Sequence, residues 1–524
     1  MHCSCVRQSE LPAMSRLALD VLYHPDRVTR FYRHPFRDLE SFRAAAAEIE
    51  FPAERRAALV AALARNNAGS PLLQRLAKPG TVAVLTGQQV GLFGGPAYTL
   101  YKALHAIKLA AYLTANGQEA VPVFWLATED HDFAEVNHVW AFGVENRPAK
   151  IRVDYSAGAR PVGGVTLAAP PVGPLREAMG SLPFAEEAAA MVAEAYPPGV
   201  SMGEGFGALL RQLLRGFEML QVDPMLPEFR ALAAPAMRWA VDQAAGLSAR
   251  LAERGKELTA AGYHTQVHVE DHTSLVFLLE EGKRLALRRH GDEYFVNGRK
   301  LRAGELQDRA DALSPNALLR PVVQDSMFPT VAYIGGAAEI AYLAQSEIIY
   351  SALLGRMPVA APRTGFTILD ARSEKLFARY GLSLPDFFHG EAALRERISA
   401  KLTPPQLSGA LQGASTAIDA AIERLRAEMR GFDGSLVSAL DRSASKIRYQ
   451  IEKIGRKAGR ESLLRDERAS RDATALHNLI YPEGHLQERL FSILPFLAKH
   501  GMDLPGRIHE AIELDCPDHR LLAP

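Results

Sequence analysis

The run TGQQVGLFGGPAYTLYKALHAIKLA, Thr86 to Ala110, restricts what this chain can fold into more than any other stretch. An apolar run, Val82 to Leu85, precedes it and reads as a buried strand. Gly87, Gly91, Gly94 and Gly95 follow. After Pro96, Leu100, Leu104, Ile107 and Leu109 fall roughly at helical spacing, and Gly117 lies at the far end of that helix. VPVFWLAT, Val121 to Thr128, comes next and is nearly all apolar, as expected of a parallel strand covered on both faces. Two strands joined by one helix make a βαβ unit, and hence a parallel sheet with a right-handed crossover.

Strand, glycine-rich turn and helix also place backbone N–H groups and a helix N-terminus against an anionic or polar ligand. Gly91, Gly94 and Gly95 are therefore candidates for nucleotide or anion binding, and Gln88 and Gln89 for side-chain hydrogen bonds to a substrate. No Gly-Lys-Ser/Thr follows the glycines, so this is not a Walker loop, and it is not a clean GxGxxG. The plainer alternative is a tight connection whose glycines only permit positive φ.

A second constellation, EDHDFAEVNH, sits where the strand Val121–Thr128 ends. Ligands of parallel α/β sheets bind at the carboxyl ends of strands. Glu129, Asp130, His131 and Asp132 are the catalytic candidates, with Glu135 beside them and Asn137 and His138 as substrate-binding candidates. Carboxylates can hold a cationic amine or, by accepting a proton, turn an ammonium into a nucleophile. A histidine titrates near neutrality and can act as base or donor. The cluster has no ligand spacing as clear as HExxH, so no metal site is assigned, although divalent-metal binding and a merely charged loop are both compatible with it.

YIGGAAEIAY, Tyr333 to Tyr342, is a further glycine turn that follows an apolar strand and opens a helix. Gly335 and Gly336 join the anion-binding candidates, and Tyr333 and Glu339 the substrate-binding ones. The bland role for Glu339 is capping, since an acidic side chain is favoured at a helix start.

Composition excludes several functions. The formal net charge is zero, from 60 basic and 60 acidic residues, which argues against a protein that coats nucleic acid. No segment approaches the roughly 18 apolar residues of a membrane span, and the N-terminus has no secretory pattern. The three cysteines, Cys3, Cys5 and Cys516, form no disulfide framework and fit a reducing, cytoplasmic compartment. Cys3-Ser4-Cys5 lacks a partner pair with ligand spacing and reads as thiols on a loose terminus.

With 524 residues the chain has room for roughly three domain-sized units. The fold class read from the pattern is α/β. A Rossmann-type core occupies residues 1–149, 216–250 and 312–389, an insertion 150–215, and a second, antiparallel β-rich insertion 251–311. A helical coiled-coil domain and tail take up 390–524. Residues 1 to 80 read as helical. KIRVDY and GGVTLA suggest strands in the first insertion, and YHTQVHVE, SLVFLLEE and RLALRRHGDEYFVNGRKL in the second, with a hairpin at His290-Gly291-Asp292. LRPVVQ and TVAYIGG read as core strands, FEMLQVDP as a short one, and PVAAPRTGFTIL as a strand that closes the sheet. Ile418, Ile422, Leu425, Met429, Phe432 and Leu436, then after a slip Ile447, Ile451 and Ile454, mark a coiled-coil seam folded as a long antiparallel hairpin.

Taken together, these motifs resemble one family, the bacillithiol biosynthesis cysteine-adding enzymes. The likeness is carried by the Thr86–Ala110 run, PVFWLATEDHDFAEVNH, LRPVVQDSMFPTVAYIGGAAEIAYLAQ, PRTGFTILD and LQERLFSILPFLAKHG, spread over nearly the whole chain. Ala337-Ala338 stands where that family usually has Gly-Pro-Gly or Gly-Pro-Ala, and Thr128 where Gly or Ala is common. The resemblance implies a nucleotidyltransferase-like Rossmann core related to class I aminoacyl-tRNA synthetases, two connecting insertions, and a coiled coil that supports a homodimer. It implies a ligase that joins cysteine to the amine of glucosaminyl-malate, giving the low-molecular-weight thiol bacillithiol. The cofactor is left unknown. ATP is a candidate activating cosubstrate because amide formation from a free carboxylate is uphill, but no KMSKS-type lysine loop is recognisable. The competing readings are a nucleotide-binding scaffold assembled by its coiled coil, and a nucleotidyltransferase acting on another small acid.

Overall fold

Val82–Gln89 (β1) is the central strand of a five-stranded sheet in which Ala120–Ala127 (β2), Leu220–Val222 (β3), Thr330–Gly335 (β4) and Val359–Pro362 (β5) take the order β5-β4-β1-β2-β3. Every pairing in it is parallel. The computed structural model describes residues 2–154, 158–270 and 272–524. β1 is longer than its apolar run predicts. It stays in register with β2 through Gln88↔Leu126 and Gln89↔Ala127, which carries both glutamines to the carboxyl edge of the sheet. Gly87 makes this possible, because a Cβ there would lie 2.8 Å from the carbonyl oxygen of Trp125.

The chain leaves β1 for β2 on one side and later returns to place β4 on the other. The strand order therefore reverses between β1 and β4, and a crevice opens at such a switch point. Tyr98–Ala115 (α1) follows β1, and Ala337–Leu353 (α2) follows β4. Val84, Leu85, Val123 and Ile334 are fully buried, as strands covered on both faces require.

The outlying segments differ from the sequence reading in several places. Residues 150–215 are mainly helical, with Val172–Met179, Ala185–Ala195 and Met202–Leu213, and among the described residues their strands are short, at Pro148–Arg152, Thr166–Leu167 and Val200–Ser201. Tyr155, the end of KIRVDY, lies outside the described residues. LRPVVQ is not a strand. Pro321 sits in the first turn of the helix Arg320–Met327, where its missing N–H costs nothing. YHTQVHVE forms no strand. The second insertion is an antiparallel five-stranded sheet made of Thr273–Glu280, Lys283–His290, Glu293–Val296, Arg299–Arg302 and Leu313–Pro315. Its expected hairpin is present, with His290 paired to Glu293 across Gly291-Asp292. Of the PVAAPRTGFTIL run, only Val359–Pro362 joins the parallel sheet. Phe366–Ile368 pairs with His519–Ala523, which in turn pairs with His2–Val6. Cys3 and Cys5 therefore lie on a paired strand rather than a loose terminus, through a pairing between chain ends that no local pattern reveals.

The chain divides into two compact units. One comprises Met1–Val144, Pro148–Ile368 and Glu488–Pro524, the other Glu145–Arg147 and Leu369–Gln487. The sheet-bearing unit runs to Ile368 and takes in the tail from Glu488, while the helical unit begins at Leu369. The helical unit holds Glu391–Leu402 (α3), Pro405–Phe432 (α4), Leu436–Arg465 (α5) and Glu467–Ile480 (α6). α4 and α5 are antiparallel. Asp419 pairs with Arg448 and Arg426 with Asp441, a seven-residue step run in opposite directions. Ile422, Leu440 and Ala444 are buried between the two helices, with Ile418 and Met429 against them. Among the described residues no helix is long and apolar enough to cross a membrane.

Candidate active site

A cleft of about 810 Å³ opens at the switch point, at the carboxyl ends of β1, β2 and β4. Gly87, Gln88, Gln89, Lys102, Gly336 and Glu339 line one part of it, and Glu129 to Asp132 with Glu135 another. That size suits a small-molecule ligand.

The floor is built around Lys102 on α1, which is only 1% exposed. Its ammonium donates to Gly87 O at 2.7 Å and to Gln88 Oε1 at 3.0 Å, and lies 2.5 Å from Glu339 Oε2. Glu339 also accepts from Tyr333 OH at 2.8 Å and from Gly336 N at 2.8 Å. Burial works against this carboxylate, but Lys102, Gly336 N–H and Tyr333 hold it below the ordinary range. Burial also pulls Lys102 below its usual value, opposed by the Glu339 charge. Glu339 thus does more than cap α2. It takes the helix N-terminal donor that the sequence assigns to an anionic ligand, and it compensates a buried cation.

The acidic wall begins where β2 ends. Thr128 donates to Asp223 Oδ1 at 2.5 Å, tying the ends of β2 and β3 together. Asp130 Oδ2 accepts from Gln89 Nε2 at 2.7 Å, and Oδ1 accepts from His131 N at 2.7 Å. Burial would raise the Asp130 pKa, yet Gln89, the Arg284 guanidinium and the backbone N–H groups of His131 and Asp132 hold it below the usual carboxylate value. Gln89 Nε2 also donates to Glu135 Oε2 at 3.0 Å. Asp132 caps the short helix Phe133–Val136 by accepting from Glu135 N. Glu129 is buried at the edge. Its Oε2 accepts from Ser314 Oγ at 3.0 Å and lies 3.7 Å from Arg230 Nη1, while Oε1 has no hydrogen-bond partner among the described residues.

Cationic side chains line the cleft as well. Arg320 donates to Tyr342 OH at 2.6 Å. Arg363 forms a two-pronged pair with Glu488, at 2.5 and 2.9 Å, and stacks over the Tyr98 ring at 5.1 Å. Burial opposes the Glu488 charge, but Arg363 holds it below the usual carboxylate range. Arg489 lines the cleft, is exposed, and makes no hydrogen bond or ion pair among the described residues. Carboxylates and guanidinium groups lining one cleft let it hold a ligand bearing both an amine and an acid.

Not all the sequence candidates gather here. Gln88, Gln89, Glu129, Asp130, His131, Asp132, Gly336 and Glu339 line the cleft. Tyr333 is buried behind Glu339. Gly335 lies beneath the turn and accepts from Arg363 N at 2.8 Å. Asn137 and His138 lie outside the lining, bonded to each other at 3.1 Å. Gly91, Gly94 and Gly95 are also outside it. Gly94 and Gly95 take φ of 87° and 66°, beside an apolar recess of about 10 Å³ walled by Thr99, Phe206 and Ile493, too small for a ligand. Sequence reasoning passed over Lys102, Arg284, Arg320, Arg363 and Arg489. A lysine within an otherwise apolar helix face was a usable signal for the first. The others come from segments whose convergence no spacing announces.

A parallel core with a charged cleft at its switch point, accompanied by a helical coiled-coil unit, defines a Rossmann-like protein. Comparison with known proteins places the chain within that class. The model for "Bacillithiol biosynthesis BshC, N-terminal Rossmann-like domain" matches residues 1–364, and that for "Bacillithiol biosynthesis BshC, C-terminal coiled-coil domain" matches residues 366–523. The chain belongs to this family. It is 62% identical to the "Putative cysteine ligase BshC" of Solibacter usitatus over 100% of both chains. It is 37% identical to the protein of the same name from Koribacter versatilis over 99% of each, and 32% identical to that of Symbiobacterium thermophilum over 93% of this chain and 94% of that one.

Proposed function

We propose that this chain is a ligase that performs the final step of bacillithiol biosynthesis, joining the carboxyl of cysteine to the amine of glucosaminyl-malate through an amide bond. Family membership supplies the chemical context. The observation that carries the reading is the presence of both charges within one cleft, which Asp130, Asp132 and Glu135 line together with Arg320 and Arg489. Both substrates carry an amine and a carboxylate. Asp130, held as an anion, orients the amine. Gln88 and Gln89 offer amide groups at the floor. Tyr333 acts through Glu339, and Asn137 and His138 act through the loop they anchor.

A free carboxylate must be activated before an amine displaces oxygen from it, and ATP is the cosubstrate to test. Arg320 and Arg489 are the cleft groups able to hold its phosphates, since the N–H of Gly336 is already engaged by Glu339. The test is direct. Purified full-length chain is incubated with cysteine, glucosaminyl-malate and ATP, and the amide is followed by mass. In cells lacking the gene, bacillithiol should vanish and glucosaminyl-malate accumulate. An unchanged thiol profile would sink the proposal and favour a scaffold.

A further inference from the structure

The sheet of the second insertion reaches the cleft with Phe277, Pro315 and one charged side chain, Arg284, on the strand Lys283–His290. Its guanidinium is buried and fixed on every edge. Nε donates to Ser314 Oγ at 3.0 Å and Nη2 to Pro315 O at 2.7 Å, and the group lies 4.0 Å from the centre of the Phe277 ring. The remaining nitrogen, Nη1, lies 3.1 Å from His131 Nδ1 and 3.4 Å from Asp130 Oδ1.

A guanidinium can only donate, so a ring nitrogen facing it must accept. Nδ1 of His131 therefore carries no proton. Adding one would set an N–H against an N–H and a second positive charge beside Arg284. Asp130 Oδ1, at 3.7 Å from Nδ1, is too far to take that proton as a hydrogen bond. Phe277, whose ring centre is 5.6 Å from that of His131, offers no acceptor. The single proton of the neutral ring is then on Nε2. The side chain is 35% exposed and lines the cleft, and no hydrogen bond to Nε2 is formed among the described residues.

We infer that His131 serves the cleft as a neutral hydrogen-bond donor through Nε2–H, and that Arg284 is the positioning residue that fixes this tautomer. The inference rests on the ligase reading for its use but not for its geometry. When the amine of glucosaminyl-malate adds to an acyl group activated as a phosphoric anhydride, the nitrogen–carbon bond forms and the carbonyl π pair moves to oxygen. Nε2–H is suited to hold that oxygen. As the carbonyl re-forms, the phosphate-bearing group leaves with the electron pair of its bond. The amine proton passes to a carboxylate of the acidic wall, because the only basic nitrogen of His131 is occupied by Arg284.

Two measurements test this. In full-length chain labelled with ¹⁵N-histidine, with the His131 signal identified by its loss in His131→Gln, the nitrogen shifts should show a bare Nδ1 and a protonated Nε2. In Arg284→Met that pattern should become mixed. A protonated Nδ1 in the unsubstituted chain, or a pattern unchanged in Arg284→Met, overturns the inference. In amide formation, His131→Ala should lose about 10²- to 10³-fold in turnover, the usual cost of removing a donor to a developing oxyanion. His131→Gln keeps an N–H donor without a base, and should stay within about tenfold of the unsubstituted enzyme. Equal loss in both variants at unchanged melting temperature overturns the donor role. If no chain forms the amide while the shifts show Nε2–H, the ligase reading fails and the tautomer assignment stands.

Discussion

Lys102 Nζ lies 2.5 Å from Glu339 Oε2, and this pair joins the helix after β1 to the helix after β4 beneath the cleft. Each member answers for the other's burial. Lys102→Met would leave the Glu339 carboxylate without its cation, and breaking a buried pair from one side typically costs about 3–5 kcal/mol. Urea unfolding of the variant should show a loss of that order. The double variant Lys102→Met/Glu339→Gln should recover most of it, since neither charge is then stranded. Losses that simply add would mean the two groups are energetically independent.

The sequence shows local elements of the core, but not which distant segments and side chains meet. The βαβ start, the acidic run at a strand end and the glycine turn at Gly335 were readable because each is local: apolar length, charge density and backbone freedom are properties of consecutive residues. Arg284, Arg363 and Glu488 were not, because they enter the site from segments far apart in sequence. The same limit hid the His2–Val6 pairing with the chain's other end. Residues 172–213 were missed for a different reason. Prolines and glycines punctuate helices that are short but well packed: burial of Leu175, Met179 and Leu209 holds the Gly- and Pro-bearing ones, while the Ala-rich Ala185–Ala195 has strong helix propensity of its own. Gly94 and Gly95 looked like a ligand cradle, yet backbone freedom alone does not distinguish a cradle from a tight bend.

Arg489 has the character of a ligand-binding residue. It lines the cleft, is exposed and holds no partner among the described residues. Its removal should leave the fold intact and weaken only what binds. Arg489→Gln should keep the melting temperature and raise the KM of an acidic substrate roughly tenfold, the cost of about 1.5 kcal/mol for one hydrogen bond to a charged group. An unchanged KM for every substrate would show that the guanidinium touches none of them.

Two histidines make stability depend on acid. Burial pushes His105 and His519 down to about 4. His105 Nδ1 accepts from Thr364 N at 3.1 Å, and His519 Nε2 bonds Thr367 Oγ1 at 2.8 Å. The unfolded chain binds protons at these groups near pH 6.5 and the folded chain only near pH 4. Between those values the unfolded state holds more protons, so stability falls as the pH is lowered and is regained as it rises. Melting temperature should therefore drop steadily from pH 6.5 to pH 4. His105→Asn/His519→Gln should flatten that slope, even if it lowers the plateau at pH 7. A slope the same in the double variant would assign the acid sensitivity to other groups.

Assembly is the remaining expectation, and the hairpin tells which residues to test. Ile422 and Met429 are covered inside the hairpin by Leu440 and Ala444, so substituting them would unpack one chain rather than separate two. The outer apolar positions are Leu425 and Phe432 on α4 and Ile447 and Ile454 on α5, with Phe432 86% exposed. Within each helix these residues are one heptad apart, the spacing that keeps a stripe on one face. Ile447 and Ile454 lie about 10 Å apart along α5 at 1.5 Å per residue, so each pair is a short exposed apolar stripe, surface that soluble chains rarely leave bare where it is contiguous. A second copy of the same hairpin offers the same stripe and buries both by two-fold symmetry. We therefore propose a homodimer through α4 and α5. Light scattering should give twice the chain mass at micromolar concentration, and Ile447→Asp/Ile454→Asp should halve it with the helical content retained. A monomer before substitution, or a dimer that survives it, would remove the hairpin as the interface.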